Sequence, residues 1–252
     1  MNRSRARDPR TSGLAAAVAG LGVGVAGYWR LMSPYSQAWG HFPYRGATSE
    51  PAVALTFDDG PNEPYSSRIA TLLEDRGARG TFFQVGQAVR RHPEVTDSLA
   101  RSGHVIGHHG DSHRLRTSLS RAALLEDIRK GQQAFAAVGL RPALYRPPWL
   151  LRIPALRAVL FEEGLRPVSG EFCHVLEVAQ PGAQRIARRA LAKIRPGSIV
   201  IFHDGFDGKV AERGRTVEAV EIVVDRVCAL GWSLVTIDRL LGVPAYQSAL
   251  PA

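Results

Sequence analysis

The chain has 252 residues, 45% of them apolar and 22% charged, with 25 glycines and 16 prolines. That profile excludes a disordered or fibrous protein and leaves room for one domain of about 190 to 200 residues around a single core, with no second catalytic domain. Basic residues exceed acidic ones by 32 minus 23, a formal +9. The arginines are scattered, without a dense run or interleaved aromatics, which argues against nucleic acid as a partner and is equally compatible with anionic lipids or wall polymers.

In chain order, residues 1–12 are basic, with Arg3, Arg5, Arg7 and Arg10. Residues 13–29 (GLAAAVAGLGVGVAGYW) are 17 uncharged positions, the pattern of a signal anchor or a long signal peptide. The positive-inside rule then keeps the N-terminus cytoplasmic and exports the remainder. Residues 30–50 read as a linker, 51–242 as the catalytic domain and 243–252 as a tail. Cys173 and Cys228 stand 55 positions apart without metal-ligand spacing and read as buried small hydrophobes, a disulfide staying open if the domain is exported.

From Val53 onward, short β-type runs alternate with helical ones. The strands fall at 53–57, 81–85, 104–106, 144–146, 166–169, 198–202 and 232–237. The helices fall at 66–76, 96–101, 120–138, 154–163, 182–193 and 216–230. The longest helix starts at a Ser120 cap and carries Leu124, Ile128 and Phe135 at helical spacing. Such alternation predicts an α/β fold with a parallel sheet, open or closed into a barrel. The polar residues fall at strand C-terminal ends: Asp58 and Asp59 after the first, His109 and His113 after the third, Arg146 ending the fourth, His203 after the sixth. In a (β/α) barrel those ends converge on one face.

Asp58 and Asp59 precede Gly60-Pro61, a turn. Adjacent carboxylates repel unless their side chains diverge, one binding a cation while the other stays free as a base. A solvated turn is the bland alternative. His109 and His113, four apart, suit a divalent metal if the segment forms a helical turn, and His104 and His108 crowd the same stretch, so other ligand choices stay open. Two His and one Asp leave positions for water and substrate. His203 follows an apolar strand, where an imidazole could protonate a leaving group or simply bond Asp204. Arg146 could orient a carboxylate or close the Pro147-Pro148 loop. His41, His92 and His174 read as surface or packing residues. The chain has neither a Gly-x-Ser-x-Gly elbow nor a phosphate-binding glycine loop.

TFDDGPN, GHVIGHHGDSH, YRPP and GSIVIFHDG, in this order and at these intervals, resemble the motifs of the NodB-like polysaccharide deacetylases, carbohydrate esterase family 4, from about Val53 to Leu241. The resemblance implies a distorted (β/α) barrel of about seven parallel strands. It implies Asp58 as general base, Asp59, His109 and His113 as metal ligands, His203 as general acid and Arg146 as the group orienting Asp58, with the backbone amide near Trp149 helping to hold the oxyanion. The implied metal is divalent, zinc by preference, though cobalt or nickel also suits this donor set. The implied reaction is removal of N-acetyl groups from a glycan containing N-acetylglucosamine, peptidoglycan leading because an anchored monomeric domain faces the wall. Deformylation of a lipid-linked sugar, removal of O-acetyl groups, and a catalytically impaired glycan-binding protein are the rivals.

Two departures stand out. The family's Asp-Trp-ending acidic segment is replaced by Gly170–Glu177, so the acidic partner of the catalytic histidine is not visible unless Glu171 or Glu177 substitutes. Without one, the pH optimum should fall. Gly110 and Leu150 also differ from the family, and Leu150 is expected to reshape the substrate groove.

Overall fold

The computed structural model describes residues 24–47 and 50–248. Its centre is β1 (Ala52–Asp58), in which every residue after Ala52 is buried, the near-continuous apolar run of a strand covered on both faces. In parallel register, β1 pairs with β7 (Ile199–His203) from Ala54↔Ile199 to Asp58↔His203, and with β2 (Thr81–Gln84) from Thr56↔Thr81 to Asp58↔Phe83. Outward from β2 follow β3 (Val105–His108), β4 (Leu144–Tyr145) and β5 (Arg166–Pro167). On the other side, β6 (Glu171–Phe172) lies beyond β7. β8 (Ser233–Leu234) pairs with the start of β1.

The segment 166–172 explains the curl of the sheet. Its first residues pair with β4 and its last with β7, so one stretch of chain is hydrogen-bonded to both edges and draws the parallel strands into the expected distorted barrel. The sequence pattern misses β6 because a two-residue strand after Ser169-Gly170 has no periodicity to detect. The strand expected at 232–237 is also shorter: it ends at Leu234, and a short helix occupies Ile237–Leu241.

Alternation along β1 divides the core. Val53, Leu55 and Phe57 face helices with Phe82, Ile106, Val200 and Phe202, each fully buried side chain being worth about 1.5–3 kcal/mol. Ala54 packs inside the curl with Phe83, Leu144, Val168, Ile199 and Ile237. Above this apolar plug the same face continues as Thr56 and Asp58. The helices are α1 (Tyr65–Glu74), α2 (Gly86–Arg91), α3 (Pro93–Arg101), α4 (Arg121–Ala136), α5 (Leu156–Glu162), α6 (Ala183–Leu191), α7 (Gly214–Ala229) and α8 (Ile237–Leu241). As expected, Ser120 caps α4, its Oγ accepting from Ala123 N at 3.2 Å, and Leu124, Ile128 and Phe135 are buried. The six-residue α2 escapes a periodicity search because of its length.

The stretch expected as a linker is integrated into the domain. Ser33 and Phe42 are buried, Ser169 N donates to Pro43 O and Gly46 N to Gly197 O, both at 2.8 Å. The expected tail likewise begins packed, with Ala143 N donating to Ala245 O at 2.8 Å. Both cysteines are free. Cys173 is buried, but Cys228 is exposed, against expectation. Most of the apolar run 13–29 lies outside the described residues, of which 24–31 are helical. No helix among the described residues is long and apolar enough to cross a membrane.

Candidate active site

The parallel register brings the C-terminal ends of β1, β3, β4 and β7 to one level, where they open into a cavity of about 360 Å³ lined by Asp58, Asp59, His109, His113, Trp149 and His203 among others. Every residue singled out from the sequence meets here, Arg146 lying just beneath.

Asp58 ends β1 on the inner face. Its Oδ1 accepts a hydrogen bond from Arg146 Nη1 at 2.6 Å. The Arg146 guanidinium is fully buried, donates also to Thr56 Oγ1 at 2.7 Å and Ser169 O at 2.9 Å, and lies 4.1 Å over the Phe83 ring. A buried guanidinium so tied holds the Asp58 carboxyl in place at the end of β1.

Asp59 diverges from Asp58 because its backbone is left-handed, φ 78°, a conformation Asp tolerates better than most residues. Its Oδ1 lies 3.4 Å from His109 Nε2 and 3.2 Å from His113 Nε2. The Asp59, His109 and His113 donor atoms all lie within 4.8 Å of one another. His109 Nδ1 donates to Arg146 O at 2.7 Å, and His113 Nδ1 lies 2.8 Å from Asp207 Oδ1, so both rings turn Nε2 toward Asp59. Asp59 Oδ2 accepts from Asp207 N at 3.0 Å, while the buried Oδ1 has no hydrogen-bond partner. An orphaned carboxylate oxygen facing two imidazole nitrogens fits a divalent cation. The Asp59 carboxyl is held below the usual range: burial opposes its charge, but the neighbouring histidines overcome that opposition.

Residues 109–113 do not form the helical turn expected from the spacing. They are a loop with Gly110 at φ 77° and His113 at φ 48°. Asp127 on α4 pins it, accepting from Asp111 N at 2.8 Å and from Ser112 Oγ at 2.6 Å. A Cβ on Gly110 would lie 2.9 Å from Asp127 Oδ2, which accounts for glycine at this departure from the family pattern. The neighbouring histidines are otherwise engaged: His108 Nε2 donates to Ile128 O at 3.0 Å and Nδ1 accepts from Gly110 N at 2.9 Å, and His104 Nδ1 accepts from Gly80 N at 3.0 Å. That closes the alternative ligand choices.

His203 Nδ1 lies 2.7 Å from Glu177 Oε2, and Glu177, itself buried, also accepts from Thr216 Oγ1. The acidic partner missing from the motif is therefore supplied by Glu177, five residues beyond the end of β6. Burial works against the imidazolium, but the Glu177 carboxylate, assisted by Asp59 and Asp58, raises its pKa to about 9. Glu171 is engaged elsewhere, accepting from Tyr35 Oη at 3.0 Å. Asp204 does not bond His203. It accepts from Gly60 N at 3.1 Å, and Asn62 Nδ2 donates to Asp204 O at 2.8 Å, so Gly60 and Asn62 of the TFDDGPN motif fasten the carboxylate turn to the end of β7.

Asp207, which sequence reasoning did not single out, sits in a Phe-Asp-Gly-Lys turn that nothing in the sequence separates from an ordinary surface turn. His174, expected to be a surface or packing residue, is buried and lines the cavity. Leu150, the other departure from the family pattern, lines it too, buried at φ 55°.

The family model described as polysaccharide deacetylase matches residues 45–168. A peptidoglycan-N-acetylglucosamine deacetylase of Bacillus cereus is 30% identical over 203 residues, 80% of this chain and 93% of that protein. A chitooligosaccharide deacetylase of Rhizobium leguminosarum is 28% identical over 193 residues, 72% of this chain and 88% of that protein. In fold, the chain resembles the crystal structure of a peptidoglycan N-acetylglucosamine deacetylase in complex with a benzamide, with a TM-score of 0.74 at 22% identity, covering 81% of this chain and 94% of that one. The chain belongs to the polysaccharide deacetylase family. It is a hydrolase built on the carbohydrate esterase family 4 fold.

Proposed function

We propose that this protein is a divalent-metal-dependent N-deacetylase of a glycan containing N-acetylglucosamine, with cell-wall peptidoglycan the favoured polymer, acting outside the cytoplasm and tethered by residues 13–29. The observation that carries the reading is the meeting, in one cavity, of a metal-fitting triad, an arginine-held carboxylate and a carboxylate-backed imidazole.

Asp59, His109 and His113 would hold the cation, zinc suiting two imidazoles and one carboxylate. A cation there supplies Lewis acidity toward the acetamide oxygen and toward water. Asp58, held in position by Arg146, takes the proton of the attacking water. His203, kept protonated by Glu177, faces the cavity through Nε2 and gives a proton to the departing amine. Within the turn 147–151 the two prolines have no N–H, and the amides of Leu150 and Leu151 donate to Pro147 O and Pro148 O at 2.9 Å. That leaves the Trp149 amide to hold the oxyanion. The contact of Glu177 with His203 supports an active enzyme over the catalytically impaired reading.

Acid released by the metal-loaded protein from N-acetylated chitooligosaccharide, peptidoglycan, an N-formylated lipid-linked sugar and O-acetylated xylan tests the assignment. Acetate supports it. Formate alone, or acetate from O-acetylated xylan alone, replaces it with one of the two rival hydrolases.

A further inference from the structure

Exposed apolar side chains contribute to the lining of the cavity. Tyr28, Val175, Val178 and Phe206 line it while remaining 48, 76, 37 and 41% exposed. Trp29, Leu176 and Val210, on the same three segments, are also exposed. These segments hold more than half of the large apolar side chains exposed among the described residues. Apolar surface gathered around one opening marks a contact surface rather than chance exposure.

Cations accompany it. Lys209 is exposed between Phe206 and Val210. The charges of Arg185, Arg189 and Lys193 reach His174, where they add to burial in lowering that imidazole's pKa. Mixed apolar and cationic surface is the composition that binds an anionic membrane interface.

The third observation joins sequence to structure. Tyr28 and Trp29 end the 17-residue uncharged run that four arginines precede, so the segment that reads as membrane-inserting also supplies a wall of the cavity. Tyr and Trp are the residues enriched at headgroup level. The chain beyond them is fastened to the domain: Arg152 N donates to Leu31 O at 2.8 Å, Arg152 Nη1 to Ser33 O at 2.8 Å and Ser169 Oγ to Pro34 O at 2.7 Å. An anchor leaving the bilayer at this point holds the opening against the lipid surface.

We infer that the cavity opens onto the membrane, and that its preferred substrate is an N-acetylated saccharide carried on a lipid, the sugar entering the cavity while the lipid stays in the bilayer beside the apolar rim. The inference rests on the deacetylase reading, keeps its chemistry and puts a lipid-carried saccharide in place of the wall polymer as the preferred substrate. The reaction is unchanged: the amide C–N bond is cleaved by water, the acyl group leaves as acetate and the amine keeps the proton.

The test uses the 252-residue chain loaded with zinc. Acetate is measured from an N-acetylchitooligosaccharide free in solution and from the same oligosaccharide joined to a lipid in phosphatidylglycerol-containing vesicles. Surface binding concentrates enzyme on substrate, so kcat/KM for the lipid-borne form should exceed that for the free form by about tenfold or more. Leu176→Asp with Val210→Asp should abolish that advantage and vesicle co-flotation while leaving turnover of the free oligosaccharide unchanged. Equal kcat/KM for the two forms, a preference for insoluble peptidoglycan over the lipid-borne form, or a lipid preference indifferent to the substitutions would overturn the inference and leave the deacetylase standing. Acetate from none of these substrates would overturn both.

Discussion

His203, partly exposed to the cavity, pairs with the buried Glu177, Nδ1 to Oε2 at 2.7 Å, and the carboxylate comes from a segment that lacks the family's usual acidic sequence. The partner stands in a 3-10 turn (Glu177–Ala179) after β6, and in the proposed mechanism its task is to hold the proton on His203.

With its pKa raised to about 9, His203 is protonated below that value and loses its proton as pH rises through it. An acid that must donate therefore gives a kcat/KM that falls on the alkaline side near pH 9. Glu177→Gln leaves burial to act with less opposition, and burial lowers an imidazole pKa, so the falling limb should move to lower pH. Glu171→Gln should leave the profile in place. Coincident profiles for wild type and Glu177→Gln would show that the pair does not set the limb.

Asp207 is placed to steady His113 as a metal ligand. Asp207→Asn should weaken metal binding by about 10–100-fold, with the ion still accommodated, whereas Asp59→Asn should abolish tight binding. Calorimetric titration with zinc separates the two cases, and unchanged affinity in Asp207→Asn would remove that residue from the account.

Arg146 and Asp58 test the buried polar layer. Replacing Arg146 by Met leaves Asp58 buried without its cation and should cost about 3–5 kcal/mol, read by urea unfolding. Activity should fall as well, because the base is no longer held in place. A variant as stable as wild type would contradict the assigned role.

Gly205 presses against the Asp59-Gly60 turn: a Cβ there would lie 2.5 Å from Asp59 O and 3.0 Å from Gly60 N. Both atoms are backbone, so relief must come from moving the turn. Gly205→Ala should lose about 1–3 kcal/mol of stability and bind metal more weakly, in contrast to Gly77→Ala, where open space surrounds the position and only the left-handed backbone is penalised. Equal metal affinities in the two variants would separate the packing at Gly205 from the site.

The sequence made the parallel alternation legible because β1 and β7 are continuous apolar runs and α4 has a clear cap and stripe. It also brought Asp58, Asp59, His109, His113, Arg146 and His203 to strand ends, where the parallel register unites them. What it hid depends on contacts far apart in the chain. The closing segment 166–172 is recognised only by its two sets of partners, Asp207 reads as a turn, and Glu177 is one of two glutamates until their distances to His203 are known. The separation of His109 from His113 suggested a helix, but Gly110 and His113 meet the same requirement with left-handed backbone instead.

The most direct measurement is acetate release from an N-acetylated glycan by the wild-type protein and by Asp58→Asn, with zinc occupancy determined on the same samples. The account predicts release by wild type, a loss of about 10²–10⁴-fold in Asp58→Asn, and equal occupancy in both. Full occupancy with no acetate from any N-acetylated glycan, or undiminished release by Asp58→Asn, would contradict it.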